Sequence, residues 1–96
     1  MITRIVKMNF RADKCAEFEA IFSESQLKIG SFKGCLGVKL WRDIHDSSIY
    51  FTYSKWDNLE SLEKYRNSDL FKSTWQKTKS LFSAPAQAWS VEEMLK

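Results

Sequence analysis

The chain has 96 residues, of which 44% are hydrophobic, 28% charged and 15% aromatic, and its net charge is +3. That length gives one domain, residues 1–96, with no room for a second core, and the composition is globular rather than disordered. Lys and Arg are scattered among acids, so solvated helix faces account for them; no nucleic-acid partner is expected. Met1 leads straight into a strand-like run, without a signal segment, and no apolar stretch approaches membrane-spanning length, so no membrane partner is expected either.

In chain order, Ile2 to Phe10 alternates as a strand, with Ile2, Val6, Met8 and Phe10 on one face and Thr3, Ile5, Lys7 and Asn9 on the other. Asn9 stands out because Asn is depleted in strands. Asp13 offers an N-cap to a helix whose stripe is Phe18, Ile21, Phe22, Ser25 and Ile29, and Gly30 closes it as a C′ glycine. Cys15 and Cys35 fall in different elements with no CxxC spacing, which reads as two reduced thiols in a cytoplasmic protein.

Ser31 to Trp56 reads as a long β-hairpin. Its arms are Cys35 to Arg42 and Ile49 to Trp56, both rich in strand formers, and Asp43 to Ser48 forms the turn. Neither arm alternates cleanly: Leu36, Val38 and Leu40 oppose Trp41, while Ile49, Phe51 and Tyr53 oppose Tyr50 and Trp56. A hairpin that is apolar on both faces needs two covers.

Asp57 and Glu60 resemble a capping box opening a short helix through about Arg66, and Asn67-Ser68-Asp69 breaks that helix and caps another. In the latter, Phe71, Thr74, Trp75, Thr78, Leu81 and Phe82 form one face, and Ser83-Ala84-Pro85 stops it. Ala86 to Val91 is a last strand, followed by a polar tail whose Met94 and Leu95 are placed to dock on a neighbour. The order β-α-β-β-α(α)-β is an α+β, ferredoxin-like arrangement, an antiparallel sheet with helices on one face. The helices cover one side of the hairpin. A second copy related by a two-fold axis is the economical cover for the other, giving a homodimer through the sheet face.

Motifs for other chemistries are missing. Lys33 to Val38 superficially matches the basic-Gly-aromatic signature of RNA-recognition modules, but Cys35 replaces the first stacking aromatic and the segment lies on the second strand instead of the third. His45, the single histidine, sits in the hairpin turn; there is no His pair at helical spacing, no Gly-x-Ser-x-Gly elbow and no phosphate loop. No metal site is expected.

Several segments together resemble the antibiotic biosynthesis monooxygenase superfamily of dimeric α+β barrels. They are a first strand ending in Asn9, Phe32 to Gly37 leading into the second strand, a third strand ending in Ser54-Lys55-Trp56, the Leu59 to Tyr65 helix, and Ser68-Asp69-Leu70-Phe71. The resemblance implies a monooxygenase that oxidises a small aromatic or quinol-like molecule with O2 and no cofactor. Such a reaction asks for polar groups among aromatics in a dry pocket. On that resemblance Asn9 and Tyr65 position and polarise the substrate hydroxyl, while Trp56, Trp75, Phe51 and Tyr53 wall the pocket. A haem-degrading branch of the superfamily places a Trp where Tyr65 stands and an iron-ligating His where Trp75 stands; an indole offers only an N–H donor and cannot ligate iron.

Each candidate also has a structural reading: Asn9 as a strand end, Trp56 as a core plug, Trp75 as part of a buried stripe, and Tyr65 evenly balanced because Leu59 and Leu62 already supply the apolar face of its helix. The alternative function from another class is a non-catalytic dimer that holds an apolar metabolite in the same cavity.

Overall fold

The computed structural model describes residues 1–95. Strand β1 (Ile2–Phe10) leads through a single 3-10 turn (Ala12–Lys14) into α1 (Cys15–Gly30). The hairpin β2 (Cys35–Arg42) and β3 (Ile49–Trp56) follows, then α2 (Leu59–Arg66), α3 (Asp69–Lys79) and β4 (Phe82–Val91). The four strands form one antiparallel sheet in the order β2-β3-β1-β4, the ferredoxin-like arrangement, with β1 and β3 central.

Strand alternation sorts the side chains. On the helix-covered face Met8, Phe10, Tyr50 and Trp56 are buried, and Phe18 and Phe22 of α1 pack onto the first three. Phe10 stacks on Phe18 at 4.1 Å between ring centroids and meets Tyr50 and Phe82 edge-on at 5.6 and 5.2 Å. The opposite face carries the register row Lys39, Tyr53, Ile5, Trp89 across all four strands. Trp41 lies against Tyr53 at 4.8 Å, yet Trp41 is 48% exposed and Trp89 44%.

The ends of the elements differ from expectation in five places. Asp13 lies inside the 3-10 turn and caps nothing; Lys14 precedes α1 without a side-chain cap, because the turn already supplies the bend out of β1. Gly30 is the last helical residue, and the left-handed conformation falls instead on Gly34, with φ of 90°, as the chain turns into β2. Asn58, not Asp57, caps α2, its Oδ1 accepting from the Ser61 amide at 2.9 Å. Helix α3 ends at Lys79, leaving Leu81 in the connection and Phe82 in β4. Pro85 therefore stops no helix: it lies inside β4, an edge strand whose register with β1 shifts between Lys7 and Asn9, where a missing N–H is tolerated. Met94 and Leu95 are 80% and 90% exposed and dock on nothing within the protomer.

Gly34 joins the hairpin to α2. Its carbonyl accepts from the Asp57 amide at 2.9 Å, and a Cβ at this position would run into the Ser61 side chain and Asp57 Oδ1. Left-handed backbone and a close approach both demand glycine here. Gly34→Ala is expected to destabilise the protein by more than about 1 kcal/mol in chemical denaturation, whereas Gly30→Ala, which meets nothing within 4 Å, leaves the midpoint unchanged or raised.

Candidate functional site

The inner rows of the sheet hold small residues in the middle and large ones at the ends. Val38, Ser54, Arg4 and Ser90 form one row, and Leu40, Thr52, Val6 and Ala88 the next. Beyond them on one side stand Met8, Tyr50 and Phe10, and on the other Trp56, all buried. The large ends hold the helices away from the small centre, leaving a cavity of about 350 Å³ between sheet and helices. Thr52, Ser54, Ala86 and Ala88 form part of its floor, and Phe22, Leu62, Tyr65, Phe71 and Trp75 part of its roof.

Tyr65 lies in the last turn of α2, and Ser68 fixes the junction with α3. The Ser68 hydroxyl donates to the Tyr65 carbonyl and accepts from the Phe71 amide, so the residues bearing the cavity aromatics are tied through one side chain. The rings form a chain: Trp56 stacks on Tyr65 at 4.9 Å, Tyr65 meets Phe71 edge-on at 5.3 Å, and Phe71 stacks on Trp75 at 5.9 Å. Burial, and secondarily the nearby Cys35 thiol, push the Tyr65 phenol up to about 12. Tyr65 is thus a neutral hydrogen-bonding phenol across the physiological range and not a base.

Of the six residues singled out from sequence, Tyr65 and Trp75 line the cavity. Trp56 is fully buried beneath the Tyr65 ring, its Nε1 donating to Ser54 Oγ at 3.0 Å, and acts as a plug outside the cavity wall. Asn9, Phe51 and Tyr53 alternate with inward-facing neighbours and lie on the other side of the sheet, so they do not meet Tyr65 and Trp75 around this cavity. Asn9 Oδ1 is buried there without a hydrogen-bond partner among the described residues. Sequence reasoning passed over Arg4, Arg66, Thr52 and Thr74, all in the wall. For Arg4 a signal existed: it shares the parity of Val6 and Met8 on the buried face of β1.

A pattern for antibiotic biosynthesis monooxygenases matches residues 1–77. The chain belongs to this family. Among solved structures it is similar to one described as an antibiotic biosynthesis monooxygenase (13% identity, TM-score 0.92, covering 99% of this chain and 100% of that one). A conserved protein from Methanosarcina mazei is also similar (17%, TM-score 0.91, covering 98% and 94%), as is Rv0793 from Mycobacterium tuberculosis (13%, TM-score 0.90, covering 99% and 96%). At these identities the likeness shows the fold. No curated protein matches the sequence significantly.

The histidine ligand of the haem-degrading branch has no counterpart in this cavity. Among the described residues no histidine or cysteine lines it, Trp75 offers only an N–H, burial keeps the Tyr65 phenol protonated and so a poor iron ligand, and His45 is exposed in the β2–β3 turn, where Asp43 Oδ2 accepts from its backbone amide. Among the described residues no helix is long and apolar enough to cross a membrane.

The raised Tyr65 pKa has a consequence for stability. A phenol whose folded pKa exceeds its unfolded value near 10 contributes stability that is complete below pH 10 and is lost as pH rises towards about 12. Alkaline titration of the denaturation midpoint should therefore fall more steeply for wild type than for Tyr65→Phe above pH 10, with parallel curves below it.

Proposed function

We propose that this family member is a cofactor-independent monooxygenase acting on a small aromatic or quinol-like molecule with O2. The observation that carries the reading is the aromatic-roofed cavity with the Tyr65 phenol in its wall. In the proposed reaction the hydroxylated ring loses a proton to water and its anion passes one electron to O2. The two radicals join at a ring CH carbon, and the peroxide takes up a proton and then loses water to leave one oxygen atom on the ring as a carbonyl. The cavity with its fixed donors stabilises the developing charge. Tyr65 donates a hydrogen bond to the substrate oxygen, Trp75 and Phe71 stack the ring, and Trp56 holds Tyr65 from behind. Asn9, assigned a polarising role on the sequence resemblance, lies across the sheet and takes no part in this reading within one protomer.

The second reading is a non-catalytic dimeric protein that binds an apolar metabolite in the same cavity. One observation favours it: among the described residues the wall contains no carboxylate, imidazole or amine to serve as a base. Oxygen uptake with naphthalene-1,4-diol and anthrol-type substrates separates the two. The oxygenase reading expects consumption well above the protein-free rate and a fall of about 10² in kcat/KM for Tyr65→Phe. Uptake equal to the protein-free rate for wild type would leave the binding protein standing and remove the enzyme.

For the partner, we propose that residues 1–96 act as one domain and that two copies pair through the outer sheet face, burying Trp41, Tyr53 and Trp89. The two unpaired thiols, Cys15 and Cys35, suit a cytoplasmic setting. Light scattering at micromolar concentration should give twice the 11.3 kDa chain mass, and Tyr53→Asp should halve it; a wild-type mass of one chain would refute the pairing.

A further inference from the structure

Among the described residues every charged group in the cavity wall is a guanidinium: Arg4 on β1 and Arg66 on α2 both line it, and no described Asp, Glu, Lys or His does. They approach from opposite walls, sheet floor and helix roof, so the fold brings two like charges to one opening. Arg66 is partly exposed and pairs with Glu63 at 3.4 Å, outside the wall, which offsets one of the charges. Arg4 is half-buried, and its Nη1 donates to Ser90 Oγ at 2.9 Å, a neutral acceptor. Burial first, and the Arg66 guanidinium second, lower the Arg4 pKa, while the Glu63 carboxylate, already paired with Arg66, acts the other way. One carboxylate thus serves two guanidiniums, a balance that an added anion improves.

We infer that the ligand of this cavity carries an oxyanion, a carboxylate or a phosphate, that Arg4 and Arg66 grip at the opening while its apolar body fills the space beneath Tyr65, Phe71 and Trp75. The guanidinium fork matches both oxyanions by paired N–H donors. The inference rests on the reading of the cavity as a ligand site but not on oxygen chemistry, because it concerns recognition alone.

The test is calorimetric titration of the full chain, in the absence of O2 so that no probe turns over, with three probes of one ring size: 1-naphthol, 1-naphthoate and 1-naphthyl phosphate. At least one anion is expected to bind about 10-fold or more tightly than the alcohol, a preference worth about 1.4 kcal/mol, and the better of the two identifies the oxyanion. Arg4→Met and Arg66→Met should each weaken the anion with little change for 1-naphthol, and the pair together should abolish the preference. Arg4→Lys, which keeps the charge and loses the fork, should fall between. Thermal melts of each variant separate lost recognition from lost folding. Equal binding of all three probes, or a preference that survives the double substitution, overturns the inference and leaves the cavity as a ligand site. Failure of all three to bind overturns both.

Discussion

Period-two alternation along the two central strands is the constraint on which the rest of this protein depends. Because β1 and β3 are paired on both sides, each residue is committed to one of two surfaces, and a slip of a single residue would exchange them. Even-numbered positions from Arg4 to Phe10 and from Tyr50 to Trp56 face the helices; odd-numbered positions from Thr3 to Asn9 and from Ile49 to Lys55 face away. The inner set supplies both core and cavity. The outer set supplies an aromatic and aliphatic surface that the helices cannot reach.

The cavity follows from how side-chain volume is distributed along that inner set. Phe10, Met8 and Tyr50 fill one end with α1, and Trp56 fills the other with Phe32 and Tyr65. Interiors ordinarily close to crystal-like density, and a gap forfeits dispersion contacts on its lining. Here the helices cannot close on Thr52, Ser54, Ala86 and Ala88, because the bulky ends and the Ser68 tie at the α2–α3 junction set their height above the sheet. The same rings that hold the helices off the sheet form the cavity roof, so enlarging or shrinking one of them alters both stability and ligand space.

Much of this was legible before any coordinates. The two hairpin arms fall at their expected bounds, Cys35–Arg42 and Ile49–Trp56, because dense strand formers surround a turn whose Asp43 and Asp46 carboxylates accept the backbone amides of His45, Asp46 and Ser48. Caps were less legible: Asp57 and Asn58 are adjacent and chemically equivalent as acceptors, and only the backbone decides between them. The helical stripe of α3 continued on paper through Leu81 and Phe82, because pairing of β4 with β1 out to Phe10 is a long-range gain that no local periodicity displays. The site divided in the same way. Trp75 lies on the helical stripe that spacing displays, and Tyr65, left evenly balanced by spacing, is reached through the family resemblance, whereas Asn9, Phe51 and Tyr53 belong to strands, where the choice of buried face depends on where the helices land. Arg4 was hidden by its residue type, since a charge on a strand reads as solvent-facing unless its parity is followed.

The polar character of the cavity sets what any chemistry in it could draw on. Tyr65 is held protonated by burial, the Arg4 and Arg66 guanidiniums offer N–H donors and no acceptor, and the Thr78 hydroxyl is already spent on the Thr74 carbonyl at 2.8 Å. A wall so rich in donors and without a strong base favours negative charge on the ligand but does not itself take a proton away. In an oxygenase of the proposed kind that is sufficient, because the substrate is its own reductant. Stabilising its anion against apolar surroundings raises the population able to reduce O2, and the departing proton needs only water at the cavity opening. The same wall would hold a pre-formed anion without turnover. What separates enzyme from binding protein here is therefore whether O2 can reach an electron-rich ring held beneath Tyr65 and Trp75, a matter of ligand chemistry more than of any additional side chain.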